Sequence, residues 1–299
     1  MENSLPVYAP DGAEKALSAQ EYMPISVAAP GGRAGGRPKY TVSATPGAPL
    51  IQFAPFNWTP VTNPTPSFGY TTSGDVGATG LVFNQAASGS GWSMADFSDL
   101  QTISFPNLSA IGSGAVGVFS FTTQSNPSVS LVSCSAPLLT YVGNHVLFVN
   151  CVNLTTLNLP VLASTEGEFD VSGCTSLASI SLPAYATSEF ITISGCTVLA
   201  SVSLPALTSS TTGVTIENNA ALTTVSLPLV VPGSGQVFNF SGNALTQACV
   251  NAILEQFAAV TAWSSGTLDL NGGTNAAPSG GGAAAVTTLQ GRGITVNHN

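Results

Sequence analysis

The sequence predicts a mainly β protein in which most of the chain winds as a right-handed parallel β-solenoid with coils of about 23 residues. Three observations predict this fold. A unit that begins with leucine and ends with proline recurs from residue 100 at a nearly constant interval. A second short pattern, in which apolar and polar residues alternate, precedes most of these units and is typical of strands with one buried face. Gly, Ser, Thr and Asn fill the positions between them, as expected of turns.

The leucine unit has an apolar residue at its fourth position and leucine and proline at its end. Leu154–Pro160 and Leu177–Pro183 are two close copies. Counted from Leu100, successive first leucines are 31, 23, 23, 22 and 23 residues apart, and Leu245 follows after 23 more. One coil cannot bury its own apolar side chains, so we expect those of successive coils to fill one continuous interior. The predicted core side chains are Leu154, Leu157, Leu159, Leu177, Ile180, Leu182, Leu199, Val202, Leu204, Leu222, Val225 and Leu227.

Each unit ends in a proline, which has no N–H to donate to a parallel ladder. We therefore expect the prolines to stand just past their strands, at a corner of the coil. The segments that follow them, 184–189, 206–213 and 229–236, vary in length and content. They are expected to lie along one edge, in contact with either a sister subunit or a receptor. The prolines are Pro106, Pro137, Pro160, Pro183, Pro205 and Pro228.

The second pattern has the form apolar-x-apolar-x-x-Cys/Asn, as in 169–174 and 191–196. It predicts a second strand, so that two strands and two turns make one coil. The Cys or Asn side chain is expected to bond inward to backbone groups at the turn. A column presents its side chains from one side only, which disfavours a zinc site, and a reducing origin disfavours a disulfide. This predicted structural ladder is Cys151, Cys174, Cys196, Asn219 and Asn243.

The chain divides into four predicted regions. Residues 1–50 form an extended arm rich in Pro and Gly, and residues 51–99 form a region of short strands with an N-terminal cap. The solenoid spans 100–244. Residues 245–299 form a small α/β cap, with a helix after the N-cap Thr246, a strand at 267–270, a helix at 283–290 and a last strand from Ile294.

Charge is scarce, because charged residues make up 6% of the chain against roughly 25% in ordinary soluble domains. After Lys39 the chain has ten acidic residues and one basic residue, Arg292, so we expect no binding of nucleic acid. No apolar stretch is long enough to span a membrane and no signal peptide is visible, so synthesis in a cytoplasm is expected. The arm is expected to anchor the protein, through Arg33, Arg37, Lys39 and Tyr40.

Candidate catalytic groups are sparse. The two histidines, His145 and His298, have no nucleophile motif beside them. Carboxylates at 96 and 99, and at 166, 168 and 170, could pair for glycoside hydrolysis or hold calcium, but at turns they are expected to be solvated corners. We predict no enzymatic activity, no cofactor and no metal.

The full repeat, apolar-x-apolar-x-x-Cys/Asn-x-x-Leu-x-x-apolar-x-Leu-Pro, resembles the leucine-rich repeats of BspA-like proteins and of receptor L-domains over residues 100–245. Such repeats serve adhesion, recognition and scaffolding, so this resemblance implies architecture more than activity. The tail from Leu245, with its Thr-Leu-Asp-Leu-Asn-Gly-Gly-Thr-Asn stretch, is similar to caps on leucine-rich-repeat-like proteins of bacteriophages. This second resemblance implies a virion protein.

These observations together predict a phage-type virion structural protein, a capsid decoration or cement protein whose arm binds other virion proteins and whose solenoid forms a trimer. Two alternatives stay open. The chain is a tail fibre or adhesin whose solenoid edge binds a host receptor or glycan, or it is an enzyme such as a polysaccharide depolymerase. The last requires carboxylates that converge in a groove, and the sequence does not identify them.

Overall fold

The chain folds as a mainly β, parallel solenoid with coils of about 23 residues, which confirms the predicted fold class. Every strand pairing among the described residues is parallel, and those residues contain 22 strands and two helices. The predicted arm, which contains Arg33, Arg37, Lys39 and Tyr40, lies outside the residues that the structure describes. The computed structural model describes residues 101–106, 108–112, 118–122 and 131–299, and the backbone alone of 51–53, 69–73, 80–83, 87–89 and 91–95.

Each coil between residues 80 and 217 contributes strands to three successive sides, which we call sheets A, B and C; the strands of B and C belong to one hydrogen-bonded sheet that bends at a corner. Sheet A comprises β1 (Ile51–Phe53), β3 (Gly80–Phe83), β6 (Thr102–Ser104), β9 (Ser133–Ser135) and β12 (Thr156–Asn158), then separately β15 (Ser179–Ser181), β17 (Ser201–Ser203) and β19 (Thr224–Ser226). Sheet B comprises β4 (Ala87–Gly89), β7 (Leu108–Ile111), β10 (Tyr141–Val142) and β13 (Ser164–Thr165). Sheet C comprises β2 (Gly69–Ser73), β5 (Gly91–Ala95), β8 (Phe119–Thr122), β11 (Val146–Val149), β14 (Glu168–Ser172), β16 (Thr187–Ser194), β18 (Ser209–Glu217), β20 (Gln236–Asn239), β21 (Gly266–Leu270) and β22 (Ile294–His298).

The prediction of two strands per coil is wrong, because the segments after the prolines from Pro106 to Pro205 form a third, short strand in sheet B. In β10 and β13 this strand has two residues, whose backbone pairs with the neighbouring coils. In β16 and β18 it runs directly into the strand of sheet C. A register shift between Ser188 and Phe190 marks the corner where the two sheets join. The coil is therefore three-sided.

The predicted leucines point into one interior. Eleven of the twelve predicted core side chains are buried to at least 94%. Leu157 is the exception: its side chain is partly buried and packs against the edge of the core. The prolines stand at turns two residues past the strands of sheet A, as predicted. Apolar burial along this column is the main stabilising contribution to the fold.

The stack continues past both predicted solenoid boundaries. β1 pairs with β3, and β2 with β5, so the region predicted as a short-strand cap extends sheets A and C. At the other end β21 and β22 extend sheet C. The helices α1 (Gln247–Ala259) and α2 (Gly281–Gly291) complete the predicted α/β cap.

The two helices are held by specific polar contacts. The Thr246 hydroxyl caps α1 by accepting from the Cys249 N–H, as predicted. The Arg292 guanidinium donates to the carbonyls of Ala258 and Val260 at 2.7 and 3.1 Å, which places a cation at the negative end of the α1 dipole. No helix in the described residues has the length and apolar character needed to cross a membrane.

Candidate functional site

The predicted ladder of Cys and Asn side chains lies at the corner between sheets C and A. A residue with positive φ precedes each ladder position, for example Gly173 at 67° and Asn218 at 57°. Glycine and asparagine are the residues that tolerate this left-handed turn, and the turn aims the next side chain inward. All five ladder side chains are buried.

The cysteine part of the ladder makes weak bonds that run in one direction. The thiols of Cys151, Cys174 and Cys196 donate to carbonyl oxygens of the preceding coil, with sulfur–oxygen distances of 3.3, 3.2 and 3.5 Å. All five cysteines of the chain are free and buried. The adjacent Cys174 thiol and burial raise the pKa of Cys196, so this thiol stays protonated at neutral pH.

The asparagine part makes stronger bonds, because each amide both donates to and accepts from the backbone of the preceding coil. The amide of Asn219 donates to the carbonyl of Ile193 at 3.0 Å, while its oxygen accepts from the Cys196 N–H at 2.9 Å. Asn243 repeats this arrangement one coil later. Asn275 also repeats it, although the sequence did not identify it as part of the ladder. These contacts describe a structural column.

Within residues 131–299, sheet C carries most of the acidic side chains on its outer face. Six of the seven acidic residues in 131–299 lie in its strands or at its corner with sheet B. In each of three coils, one carboxylate accepts a hydrogen bond from a neutral side chain of the next strand. The bonded pairs are Glu168 with Thr192 at 2.7 Å, Glu217 with Asn239 at 2.6 Å and Asp269 with Asn297 at 3.2 Å.

The densest group of titratable side chains is at the corner of sheets B and C. Burial raises the pKa of Asp170 to about 6, the Ser172 hydroxyl opposes this by donating to the carboxylate, and the nearby Glu168 charge adds to it. A hydrogen bond to Glu166 raises the pKa of Tyr141 to about 12. The His145 Nδ1 accepts from the Glu168 N–H at 2.9 Å, so the neutral ring carries its proton on Nε2. This corner can hydrogen-bond a polar ligand.

The outer face of sheet A is chemically opposite. From β6 to β19, each three-residue strand turns its first and third side chains outward, and these are hydroxyls with one amide and no charge. Serine and threonine keep such a face hydrated without an electric field. The outward residues are Thr102, Ser104, Ser133, Ser135, Thr156, Asn158, Ser179, Ser181, Ser201, Ser203, Thr224 and Ser226.

An exposed apolar row borders sheet A. At the corner of sheets A and B, an apolar residue follows each of the five prolines from Pro137 to Pro228, and beneath it the next side chain is buried. Leu138 is 51% exposed, Leu229 55% and nearby Val231 56%. The predicted variable segments begin here, and no charged residue lies at this corner. We call this row the proline corner; its members are Pro137, Leu138, Pro160, Val161, Pro183, Ala184, Pro205, Ala206, Pro228, Leu229 and Val231.

The described residues hold no group of three or more His, Cys, Asp or Glu side chains that could bind a metal ion. The protein is thus a parallel β-solenoid, and the part of it that the structure describes has one acidic face and one uncharged side. Comparison with protein-family profiles, with curated proteins and with solved structures finds no match to this chain. The argument for function therefore comes from the surfaces themselves.

Proposed function

We propose that this chain is a non-enzymatic structural protein of a phage-type virion, a capsid decoration protein held by residues 1–50 and assembled as a trimer. The leucine-rich-repeat identity of its coils, the likeness of its cap to phage proteins and its place in the virion belong to the same proposal. No nucleic acid, membrane or cofactor takes part in this function.

One observation carries the proposal, namely the continuous uncharged side made by sheet A and the proline corner. A protein that works alone in water normally has charge on every face, since charge keeps proteins soluble and apart. Here hydroxyls and exposed apolar side chains replace charge along the length of the stack. Such a side suits permanent contact with other subunits, where desolvating a charge would be costly.

The anchoring role is tested by deleting residues 1–40. We expect the truncated chain to stay soluble and folded, with the circular dichroism of a β protein, and to be lost from purified particles. The matched control replaces residues 1–40 with a Gly/Ser sequence of equal length, which separates a specific anchor from a spacer. Retained incorporation of either variant contradicts the anchoring role. Hundreds of copies per particle support a head position, and a few tens or fewer contradict it.

A second function, recognition of a host receptor or glycan, is favoured by the outer face of sheet C. Carboxylates, amides and hydroxyls in ordered rows, with the Tyr141 ring nearby, offer hydrogen bonds of the kind that sugars accept and donate. If the chain is a tail fibre or adhesin, the labelled solenoid binds host cells and Glu168→Gln with Asp170→Asn weakens that binding. The same pair of substitutions leaves a decoration protein fully able to join particles.

A further inference from the structure

The proline corner is exposed because of how the coil turns. Proline ends each strand of sheet A, and the buried side chain two positions later, such as Leu139 or Val230, fixes the chain direction. The residue between them must then point outward. The turn demands no particular side chain at that place, so polar residues would serve equally well. Leucine and valine there expose apolar area that the fold itself does not require.

Large exposed apolar side chains concentrate at this corner. The described residues contain seven of them, and four lie in the proline corner. The alanines of the two middle coils continue the row between Val161 and Leu229. A contiguous apolar row of this kind marks a contact surface more often than isolated exposed residues do.

Charge indicates what covers this surface. The chain has a net charge of −9, and the acidic side chains of the described coils gather on sheet C. Two copies that approach through sheet C repel each other, whereas a basic partner is drawn to sheet C and away from the corner. Copies of this chain meet without repulsion where neither has charge. The corner and sheet A also contain short side chains, which lose little rotamer entropy on contact.

The uncharged side has the dimensions of a subunit contact. Six strands of sheet A, from β6 to β19, span five steps of about 4.8 Å, or about 24 Å. With strands of three residues and a corner of similar width, the strip covers on the order of 500 Å² in projection. The accessible area of side chains exceeds their projection, and a standard interface takes roughly 800 Å² from each partner.

We propose that the proline corner, with the adjoining outer face of sheet A, is the surface through which copies of this chain contact one another. This inference rests on the proposed structural function and names the partner at that surface as a second copy. The apolar row lies at the centre of the contact and excludes water, and the hydroxyls of sheet A form its polar rim.

The test is the oligomeric state of the isolated full-length chain, measured by light scattering after size exclusion. We expect an oligomer for the wild type and a monomer for Leu138→Asp combined with Leu229→Asp, with circular dichroism and melting temperature unchanged. The matched control is Val198→Asp, because Val198 is 48% exposed at a different corner. This control should stay oligomeric. A monomeric wild type, or an oligomer that survives both substitutions at the proline corner, overturns the proposal.

A covalent test locates the contact without disturbing it. The five native cysteines are buried, so Leu138→Cys introduces an exposed thiol against an inert background. If copies run parallel around a three-fold axis, mild oxidation should link two of every three chains through residue 138. If they run antiparallel, linking requires a mixture of Leu138→Cys and Leu229→Cys chains. Absence of linking in both experiments overturns the proposed contact surface. It leaves the proposed structural function standing, because that function is tested separately by incorporation of the native chain into particles.

Discussion

The internal ladder joins neighbouring coils through two kinds of side chain, thiols in its first part and amides in its second. In the cysteine part, each thiol donates one long bond to a carbonyl of the preceding coil, as Cys174 does at 3.2 Å. In the asparagine part, Asn219 and Asn243 join two coils through both an acceptor and a donor. Position in the coil therefore determines whether a ladder side chain is buried. The residue type determines how strongly neighbouring coils are hydrogen-bonded and whether that bonding depends on pH.

The largest expected difference is in the response to alkaline pH, which should destabilise the cysteine part of the ladder and leave the asparagine part unaffected. Burial raises the pKa of Cys134, while neighbouring thiols together with burial raise the pKa of Cys174 and Cys196. In the unfolded chain these thiols ionise near pH 8.5. A pKa raised by folding gives stability that is complete below pH 8.5 and declines as pH rises. At pH 10 the ionisation of each of these thiols in the unfolded chain should therefore lower the free energy of unfolding by roughly 2 kcal/mol.

Urea unfolding under reducing conditions at pH 7 to 10 measures this decline. Substitution of Cys174 and Cys196 by alanine is the control, and it should remove about half of the dependence on pH, because the raised pKa values of the buried Cys134 and Cys249 remain. If the free energy of unfolding of this variant falls with pH as steeply as that of the wild type, the thiols are not the cause. The cysteine and asparagine parts of the ladder then do not differ in their response to pH. Hydrogen exchange should show that alkali loosens the coils around Cys174 before those around Asn243.

Among single substitutions, loss of an asparagine should be the most harmful. Asn243→Ala removes the acceptor of the Asn219 N–H and the donor to the carbonyls of Ile216 and Phe240, at 2.7 and 2.8 Å. Buried backbone groups then lack partners, at a cost of about 4 kcal/mol in the free energy of unfolding. Asn158→Ala, an exposed asparagine on sheet A, is the control and should cost less than about 0.5 kcal/mol. Similar losses for both variants would contradict the role of the ladder.

The sequence predicts the ladder and the core because both recur at one interval with distinctive residue types. It does not predict sheet B, since strands of two residues leave no alternation to detect. The buried hydroxyls of Thr165, Ser188 and Ser210 recur at the interval of the repeat and mark that sheet's inner corner. Serine is so common in this chain that such a recurrence is a weak signal. Asn275 escapes detection because α1 lies in the chain between it and Asn243.

The segregation of charge could not be predicted for a related reason. Total charge and its scarcity follow from composition, but the face on which an acid lies depends on the number of sides in the coil. With two strands per coil, Glu168 and Ser179 would lie on the two faces of a flat stack. The third strand turns the chain once more and adds a corner, and the uncharged side then consists of sheet A together with the proline corner.

Removing a thiol should cost much less than removing an amide. Cys174→Ala loses one weak S–H···O bond and leaves a cavity of about one sulfur atom, for a loss of about 1.5 kcal/mol. Urea unfolding at pH 7, where the native thiol is protonated in both states, isolates this packing contribution from ionisation. A loss as large as that of Asn243→Ala would mean that the thiols join coils as firmly as the amides, and the distinction between the two parts would disappear.

The smallest expected effect comes from converting one part of the ladder into the other. In Cys196→Asn, the new amide nitrogen lies where the thiol now points at the Val171 carbonyl, and its oxygen faces the coil of Cys174. The substitution extends the run of asparagines by one coil, so we expect a gain of up to about 1 kcal/mol at pH 7 and a weaker decline in alkali. Cys196→Asp is the matched control, since it has the same shape but lacks the donor and buries a carboxylate, and it should lose several kcal/mol. If the asparagine variant loses as much as the aspartate variant, the site accepts only sulfur, and the order of cysteines and asparagines along the ladder reflects packing instead of interchangeable hydrogen bonding.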